Sequence, residues 1–234
     1  MKTIAIIAAM PEELLDLSHH LSDISQETIH GKEITTGYLD GKRIVLTLSG
    51  IGKVNAAFAT ALIVLQYKPD VVINTGSAGA LSADLDFADV VIADKLTQYD
   101  VDISKFGYSI GQVPGMSQFF AVDNGLSSCV EAEFLATAAN SNIKIHRGLI
   151  VSGDKFIDGK DKKTAILQNF PAALVCEMEG AAIAQICVQA NIPFAVVRSV
   201  SDKADESSGI DFDKFIKEAS KRSAEVVLRL LQKL

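Results

Sequence analysis

The chain has 234 residues, of which 48% are hydrophobic and 22% are charged, so it can bury a sizeable core. Its formal net charge of -7 argues against a nucleic-acid-binding or anionic-membrane surface. The three cysteines lack CxxC spacing, which indicates reduced thiols, and the four histidines lack the spacing of a metal site. We therefore expect no metal, no nucleic acid and no membrane partner.

A buried strand is predicted at the start of the chain. Residues 3–9, TIAIIAA, are continuously apolar, which is typical of a strand buried on both faces. The run is too short for a signal sequence or a membrane span, so a cytoplasmic location is expected. Residues 11–21 follow as a predicted helix with proline at its start and acids in its first turn. Residues 32–49 indicate a hairpin around Asp40 and Gly41.

Helices and strands are predicted to alternate through the rest of the chain. The expected helices are 52–67, 125–140, 180–190 and one from about residue 211. The expected strands are 70–76, 88–98, 144–153, 173–177 and 193–199. The segment 104–120 interrupts this pattern as a glycine-containing loop with exposed aromatic residues. We predict one α/β domain over residues 1–234, with a central mixed, mostly parallel sheet flanked by helices.

Small and polar residues collect where the predicted strands end. Ligands of open α/β sheets bind beyond the carboxyl ends of the strands, so these residues are candidates for a site. Four acids and one arginine would meet there: Glu13, Glu177, Glu179, Asp202 and Arg198. Burying an unpaired carboxylate is costly, so each acid needs either a partner or a chemical task.

Each of these residues also has a purely structural interpretation. Glu13 could be a first-turn helix acid, Asp202 could cap a turn, and Arg198 could pair with Glu177 or Glu179. Taken together, several carboxylates with neither a metal-ligand set nor a Ser–His pair favour acid–base cleavage of a glycosidic bond. The residue types alone indicate a hydrolase of carbohydrates or nucleosides.

Four motifs occur in the order and spacing of a known superfamily. INTGSAGAL, RGLIVSGDKFI, VCEMEGAAIA and VVRSVSDKAD resemble the nucleoside phosphorylase/hydrolase superfamily. Within it, IAAMPEE, SGIGKVNAA and FGYSIGQVPG most resemble the 5′-methylthioadenosine/S-adenosylhomocysteine nucleosidase family. The resemblance implies hydrolysis of the N-glycosidic bond of these two nucleosides, and of 5′-deoxyadenosine, with release of adenine. It implies no cofactor.

The resemblance also implies a role for each site residue. Asp202 would be the general acid that protonates purine N7, and Glu13 the base that activates water. Glu179 would bind ribose hydroxyls and stay charged, while Glu177 would stand behind the substrate, paired with Arg198. The other residues implied to contact or support the substrate are Met10, Ile51, Ser77, Ala78, Gly79, Phe156, Ile157, Met178, Ser201 and Phe212.

Some of these implied contacts are specific. Phe156 would stack on adenine, and backbone groups of Ile157 would read the Watson–Crick edge of the base. Ser201 and Arg198 would support Asp202 and the side of the pocket that holds water. The molecules that the resemblance implies as partners of the chain are a small nucleoside substrate and water.

A homodimer is the further implication of the resemblance. A loop of one subunit would complete the pocket of the other, through residues that correspond here to Ile103, Phe106 and Pro114. The exposed aromatics of the 104–120 loop would then belong to an interface, the alternative being an ordinary lid.

Other activities on the same fold stay open at this point. Phosphorylases of the superfamily carry an arginine ahead of the GS motif to hold phosphate, and Asn74 stands there instead. Cleavage of AMP would need basic residues near the 5′ end, which the motifs do not supply, whereas futalosine is not excluded. A non-catalytic nucleoside-binding protein would be expected to have lost one of the three acids Glu13, Glu179 and Asp202.

Overall fold

Ten strands of one mixed sheet form the centre of the computed structural model, which describes residues 1–138 and 143–234. The strands are β1 Thr3–Ala8, β2 Ser22–Ile29, β3 Lys32–Leu39, β4 Lys42–Leu48, β5 Val71–Ala80, β6 Val90–Gln98, β7 Phe120–Ala121, β8 Ile145–Ser152, β9 Ala173–Glu177 and β10 Phe194–Asp202. The α-helices are α1 Leu15–Ser18, α2 Lys53–Tyr67, α3 Asn124–Ala138, α4 Lys160–Asn169, α5 Gly180–Ala190 and α6 Ser208–Lys233. Residues Pro11–Glu13 and Ser104–Phe106 form single 3-10 turns.

Part of the sheet closes on itself. The strand order is β10-β6-β8-β9-β5-β1-β4-β3-β2, and β10 also pairs with β5, so β5, β10, β6, β8 and β9 form a closed ring. Parallel pairing joins β1 to β4 and β5, β5 to β10, and β8 to β6 and β9. The pairs β2–β3, β3–β4, β5–β9, β6–β7 and β6–β10 are antiparallel. The predicted α/β fold with a mixed central sheet is confirmed.

Helices cover both faces of the sheet, as continuously apolar strands require. Alternate residues of β1 show this, because Ala5 and Ile7 pack into one core cluster whereas Ile4 and Ile6 pack into another. The first cluster includes α2 and α5, and the second includes α3 and α6. This arrangement leaves the carboxyl ends of the central strands free to carry a site.

The structure contains elements that the sequence did not predict, the smallest being the two-residue strand β7 at the end of the loop predicted over residues 104–120. Residues 11–21 do not form one helix, because the 3-10 turn and the four-residue α1 are followed by the edge strand β2, which was not predicted. Helix α4 was also missed, since it is polar and Ile166 is its buried residue. Of the predicted helix 125–140, residues 139 and 140 lie outside the described residues. Within the described residues, no helix has the length and apolarity needed to span a membrane.

Candidate active site

A pocket of about 370 Å³ opens at the carboxyl ends of β1, β5, β9 and β10. It is lined by Ala9, Met10, Glu13, Ile51, Ser77, Ala78, Gly79, Lys155, Phe156, Ile157, Cys176, Glu177, Met178, Glu179, Ser201, Asp202 and Phe212. All the residues predicted to contact substrate within one subunit are in this lining except Arg198, which lies behind it. The size falls in the range of small-molecule sites.

Three lining residues were not among the predicted site residues: Ala9, Lys155 and Cys176. Each directly precedes a predicted site residue in the chain, and Ala9 and Cys176 stand at the end of a buried strand. Position at a strand end was therefore the signal that could have found Ala9 and Cys176. Ile103, Phe106 and Pro114 do not line the pocket of their own chain, and Phe106 is 77% exposed.

Glu13 is held by the turn that follows β1. Its Oε2 accepts hydrogen bonds from the backbone N–H groups of Ala9 at 2.9 Å and Met10 at 3.0 Å, and its Oε1 accepts one from the N–H of Ser77 at 3.1 Å. Burial raises the pKa of Glu13, while the charge of Arg198 and these backbone donors oppose that rise. The result is a fixed carboxylate that is more basic than an ordinary glutamate.

Asp202 ends β10 and faces β5. Its Oδ1 accepts a hydrogen bond from the backbone N–H of Ala204 at 2.9 Å, and its Oδ2 accepts one from the Ser201 hydroxyl at 2.9 Å. Gly79 is its partner across the strands, and a Cβ there would lie 2.7 Å from Oδ1. Burial raises the pKa of Asp202, opposed by hydrogen bonds from Ala204, Ser201 and Ser208. This shift favours the protonated form that a general acid needs.

Arg198 is the buried cation behind the pocket. Its Nη2 donates to Glu177 Oε2 and to Asn74 Oδ1 at 2.7 Å, and lies 3.9 Å from Glu179 Oε2. The predicted pairing of Arg198 with Glu177 is therefore present. Within the described residues, its guanidinium makes no hydrogen bond to Asp202, so the expected support of that residue is not seen. Its charge acts instead on Glu13, on the side of the pocket that would hold water.

The carboxylate of Glu177 is fully occupied by protein donors. Its Oε2 accepts the N–H of Glu179 at 3.0 Å and that of Gly180 at 2.7 Å, in addition to Arg198, and its Oε1 accepts the Ser152 hydroxyl. These bonds fix the first turn of α5, which carries Glu179 towards the pocket. Glu177 is thus a buried anion whose partners satisfy it.

Glu179 has fewer partners. Its Oε1 accepts the backbone N–H of Gly52 at 2.9 Å, from the loop that precedes α2. Burial first, and then the neighbouring charge of Glu177, raise the pKa of Glu179 to about 7, against the influence of Arg198 and Gly52. The expectation that Glu179 stays charged includes further donors, the ribose hydroxyls, which would lower this pKa when substrate is bound.

Apolar side chains form the remaining walls. The rings of Phe156 and Phe212 meet edge to face, with centroids 5.9 Å apart and planes at 82°. Phe156 is 42% exposed and Ile51 is 55% exposed, so both present surface at the mouth of the pocket. Such aromatic and aliphatic walls suit a flat base and an apolar substituent.

The charge of the pocket is predominantly negative. Four carboxyl groups line it, and Lys155, at the rim, is the cationic residue of the lining. Asn74 is turned away, since its Nδ2 donates to the Ile7 carbonyl at 2.8 Å and its Oδ1 is taken by Arg198. Within the described part of the chain, no group of three or more His, Cys, Asp or Glu side chains could hold a metal ion. The carboxyl groups of the lining can carry out acid–base catalysis.

Known proteins resemble the chain over its full length. Residues 3–232 match the family model of the phosphorylase superfamily. The 5′-methylthioadenosine/S-adenosylhomocysteine nucleosidase of Staphylococcus carnosus is 44% identical over 99% of this chain and 100% of the relative. The nucleosidase of the same name from Neisseria meningitidis, solved in complex with methylthio-immucillin-A, has a TM-score of 0.97 and 42% identity, covering 100% of both chains. The futalosine hydrolase of Helicobacter pylori has a TM-score of 0.93 and 31% identity, covering 100% of this chain and 98% of that one.

Proposed function

Because the chain belongs to the phosphorylase superfamily, and within it to the 5′-methylthioadenosine/S-adenosylhomocysteine nucleosidases, we propose that it hydrolyses the N-glycosidic bond of both nucleosides. The observation that carries the proposal is one pocket that holds both Glu13 and Asp202, two of its three carboxyl groups with raised pKa values. Glycosidic hydrolysis needs such a pair, one to protonate the leaving group and one to activate water. Adenine and the 5′-thioribose are the products.

In this mechanism, Asp202 is the general acid. Its raised pKa lets it carry a proton at a pH where an ordinary aspartate is ionised, and it gives that proton to purine N7 as the C–N bond breaks. After the transfer, the aspartate charge is stabilised by the Ala204 N–H and the Ser201 hydroxyl. The leaving base is thereby neutral.

Glu13 is the general base. Three backbone N–H donors hold its carboxylate in one orientation, so it accepts a proton from water without first reorganising. As the ribosyl group gains positive charge, Glu13 and Glu179 stabilise that charge electrostatically. Water then forms the new C–O bond at the anomeric carbon.

The remaining lining residues would bind the substrate. Phe156 stacks on the purine, backbone groups of Ile157 bond its edge, and Glu179 accepts hydrogen bonds from ribose hydroxyls beside Met178. The 5′ substituent meets Met10, Ile51 and Phe212, and the residues that line the purine and ribose are Ser77, Ala78 and Gly79. Since the 5′ walls are apolar, 5′-deoxyadenosine would also be accepted.

Water, rather than phosphate, is the proposed nucleophile. The carboxylate of the proposed base, Glu13, lines the pocket and repels a phosphate dianion. Arg198 is buried behind the pocket lining and is paired with the carboxylate of Glu177, which neutralises its charge. This supports a hydrolase over a phosphorylase.

Futalosine is a second candidate substrate. The similarity to the Helicobacter pylori futalosine hydrolase favours it, because that enzyme shares the fold at 31% identity. Release of base from futalosine, but not from methylthioadenosine, would identify this activity.

A homodimer with shared pockets is part of the proposal. Val54, Phe58 and Leu65 lie on one face of α2 at helical spacing and are 80%, 46% and 73% exposed. An apolar stripe of this kind is typical of an interface. Ile103, Phe106 and Pro114 of one subunit would complete the 5′ side of the other subunit's pocket.

A cytoplasmic location completes the proposal. Cys129, Cys176 and Cys187 are free thiols, and Cys176 and Cys187 are buried. Unpaired buried thiols are typical of proteins from reducing compartments.

Matched variants test the two assigned roles. We expect Asp202→Asn and Glu13→Gln each to lower adenine release from methylthioadenosine at least about a thousandfold, since each removes a proton-transfer group. Glu12→Gln changes the exposed neighbour of Glu13 and should keep wild-type turnover. Thermal unfolding would show that all three variants fold. Near-normal turnover by either folded site variant would contradict the role of that residue.

A further inference from the structure

Lys163 contacts the protein at the ends of the two strands that carry the proposed acid and its neighbour. This lysine is on α4 and is half-buried, and its Nζ donates to the carbonyl of Ala80 at 2.7 Å and to that of Lys203 at 2.8 Å. Ala80 follows Gly79 on β5, and Lys203 follows Asp202 on β10, where Gly79 and Asp202 are paired. One ammonium group therefore joins both strands immediately beyond their last shared pair.

The Lys203 carbonyl belongs to the same peptide unit as the Ala204 N–H. That N–H donates to Asp202 Oδ1 at 2.9 Å, so the contacts run in series from Lys163 Nζ through one planar peptide group to the carboxyl of Asp202. A cation on the carbonyl end polarises the peptide and makes its N–H a stronger donor.

The turn at Ala204 needs such support. Ala204 has a φ of 51°, in the left-handed region that non-glycine residues rarely adopt, and its side chain is fully buried. Strained residues of this kind persist where surrounding contacts over-determine them. The Lys163 bond to the preceding carbonyl is one such contact, and the Ala204 bond to Asp202 is another.

We propose that Lys163 is a positioning residue for the acid, and that it acts through the Lys203–Ala204 peptide to orient Asp202 and to stabilise its charged form. The inference rests on the proposed role of Asp202 as the general acid. Neither Lys163 nor α4 was singled out by the sequence, because α4 is polar and the contact joins residues that are distant in the chain.

Four other charged or titratable groups lie around Lys163 and Asp202. They are Cys176 on β9, Asp205 and Lys203 in the turn after β10, and Asp211 in α6. Burial lowers the pKa of Lys163, while the charge of Asp205 favours its ammonium form. All four neighbours are retained when Lys163 alone is changed. A shift in the titration of Asp202 then reports the loss of Lys163.

The test compares Lys163→Met with Lys162→Met. Lys162 is the adjacent lysine on the same helix, is exposed, and pairs with Asp158, so it controls for loss of one positive charge from α4.

The measurement is the pH profile of kcat/KM for methylthioadenosine, in which kcat/KM falls at alkaline pH as the acid loses its proton. Lys163→Met should move this alkaline limb upward by about 0.5–1 pH unit, because the charged form of Asp202 loses stabilisation. Its plateau should fall about three- to tenfold as the carboxyl loses its fixed orientation.

If the alkaline limb of the kcat/KM profile of Lys163→Met coincides with that of Lys162→Met, the proposal is overturned, even if Lys163→Met is less stable or slower. If Lys163→Met does not fold, Lys163→Gln is judged by the same shift of the limb. Asp202→Asn is measured in parallel, because retained turnover in that variant would mean that Asp202 is not the acid, which overturns both proposals. An inactive Asp202→Asn together with an unmoved limb in the Lys163 variant would overturn the role of Lys163 alone.

Discussion

Three glutamates lie close to Arg198, and their hydrogen bonds separate their tasks. Glu177 has protein donors on both oxygens and serves as the partner of the arginine. Glu13 has three backbone donors and faces the pocket. Glu179 accepts one hydrogen bond, from the Gly52 N–H, lines the same pocket, and has a pKa raised to about 7. The least satisfied of the three is the one that we expect ribose hydroxyls to bind.

Glu179 therefore contributes to function at a cost in stability. Its pKa is about 7 in the folded protein against a usual 4.5, so the folded state binds more protons than the unfolded state between these pH values. Stability must then fall as pH rises through this window. Glu179→Gln lacks this dependence and should be more stable than the wild type at pH 8, by on the order of 1–3 kcal/mol, with a smaller difference at pH 5.

Denaturant unfolding at the two pH values measures this difference, with Glu12→Gln as the control for loss of one exposed carboxylate. The Glu179 variant should also bind methylthioadenosine more weakly, which shows as a raised KM. If Glu179→Gln is destabilised equally at pH 5 and pH 8, the carboxyl does not take up a proton in the folded protein as described.

Two glycines of β5 lie opposite charged residues of β10. In the β5–β10 register, Gly76 is paired with Arg198 and Gly79 with Asp202. A Cβ at Gly76 would lie 2.5 Å from Arg198 Nη1 and 2.8 Å from Glu13 Oε1, and a Cβ at Gly79 would lie 2.7 Å from Asp202 Oδ1. The GSAG motif thus leaves room on one strand for the charged groups of its neighbours.

Gly79→Ala tests this explanation. The added methyl would displace the Asp202 carboxyl, and we expect kcat/KM to fall about a hundredfold or more, because small displacements of a reacting group are costly. Gly159→Ala is the control, since nothing lies within 4 Å of the added atom and its φ of -169° suits any residue. Similar activity in the two variants, measured by adenine release, would show that close packing at Gly79 does not determine the position of the Asp202 carboxyl.

Apolar strands and helices were predictable from the sequence, whereas polar elements were not. Strand β9 and helix α5 have the predicted bounds, because both are apolar and end at residues that change the pattern. Strand β2 carries exposed residues along almost its full length, so it has no alternation to read. The four acids of the site were predicted because they stand where apolar strands end, and such ends can be recognised in the sequence. The Gly52 and Lys163 contacts were not found, because tertiary folding alone brings those groups to Glu179 and to the Lys203–Ala204 peptide.

The exposed apolar surface of the subunit favours a dimer. The α2 stripe of Val54, Phe58 and Leu65 and the exposed Phe106 would be covered by a second copy. With a chain of 25.0 kDa, light scattering should give about 50 kDa at assay concentrations, as two copies require.

Phe106→Ser tests whether the partner completes the pocket. Since Phe106 is 77% exposed in its own chain, the change should leave folding of the subunit intact while raising KM for methylthioadenosine about tenfold. Ile24→Ser, at an exposed position of the edge strand β2, is the control and should leave KM unchanged. A monomeric wild type with full activity, or equal KM values in the two variants, would contradict the shared pocket.

The most direct test of the account is to incubate the purified protein with methylthioadenosine, with and without phosphate, and to identify both products. We predict adenine and a free reducing sugar at the same rate in both conditions, because the carboxylate of Glu13 activates water and repels phosphate. Adenine formed only with phosphate, together with a sugar 1-phosphate, would contradict the account.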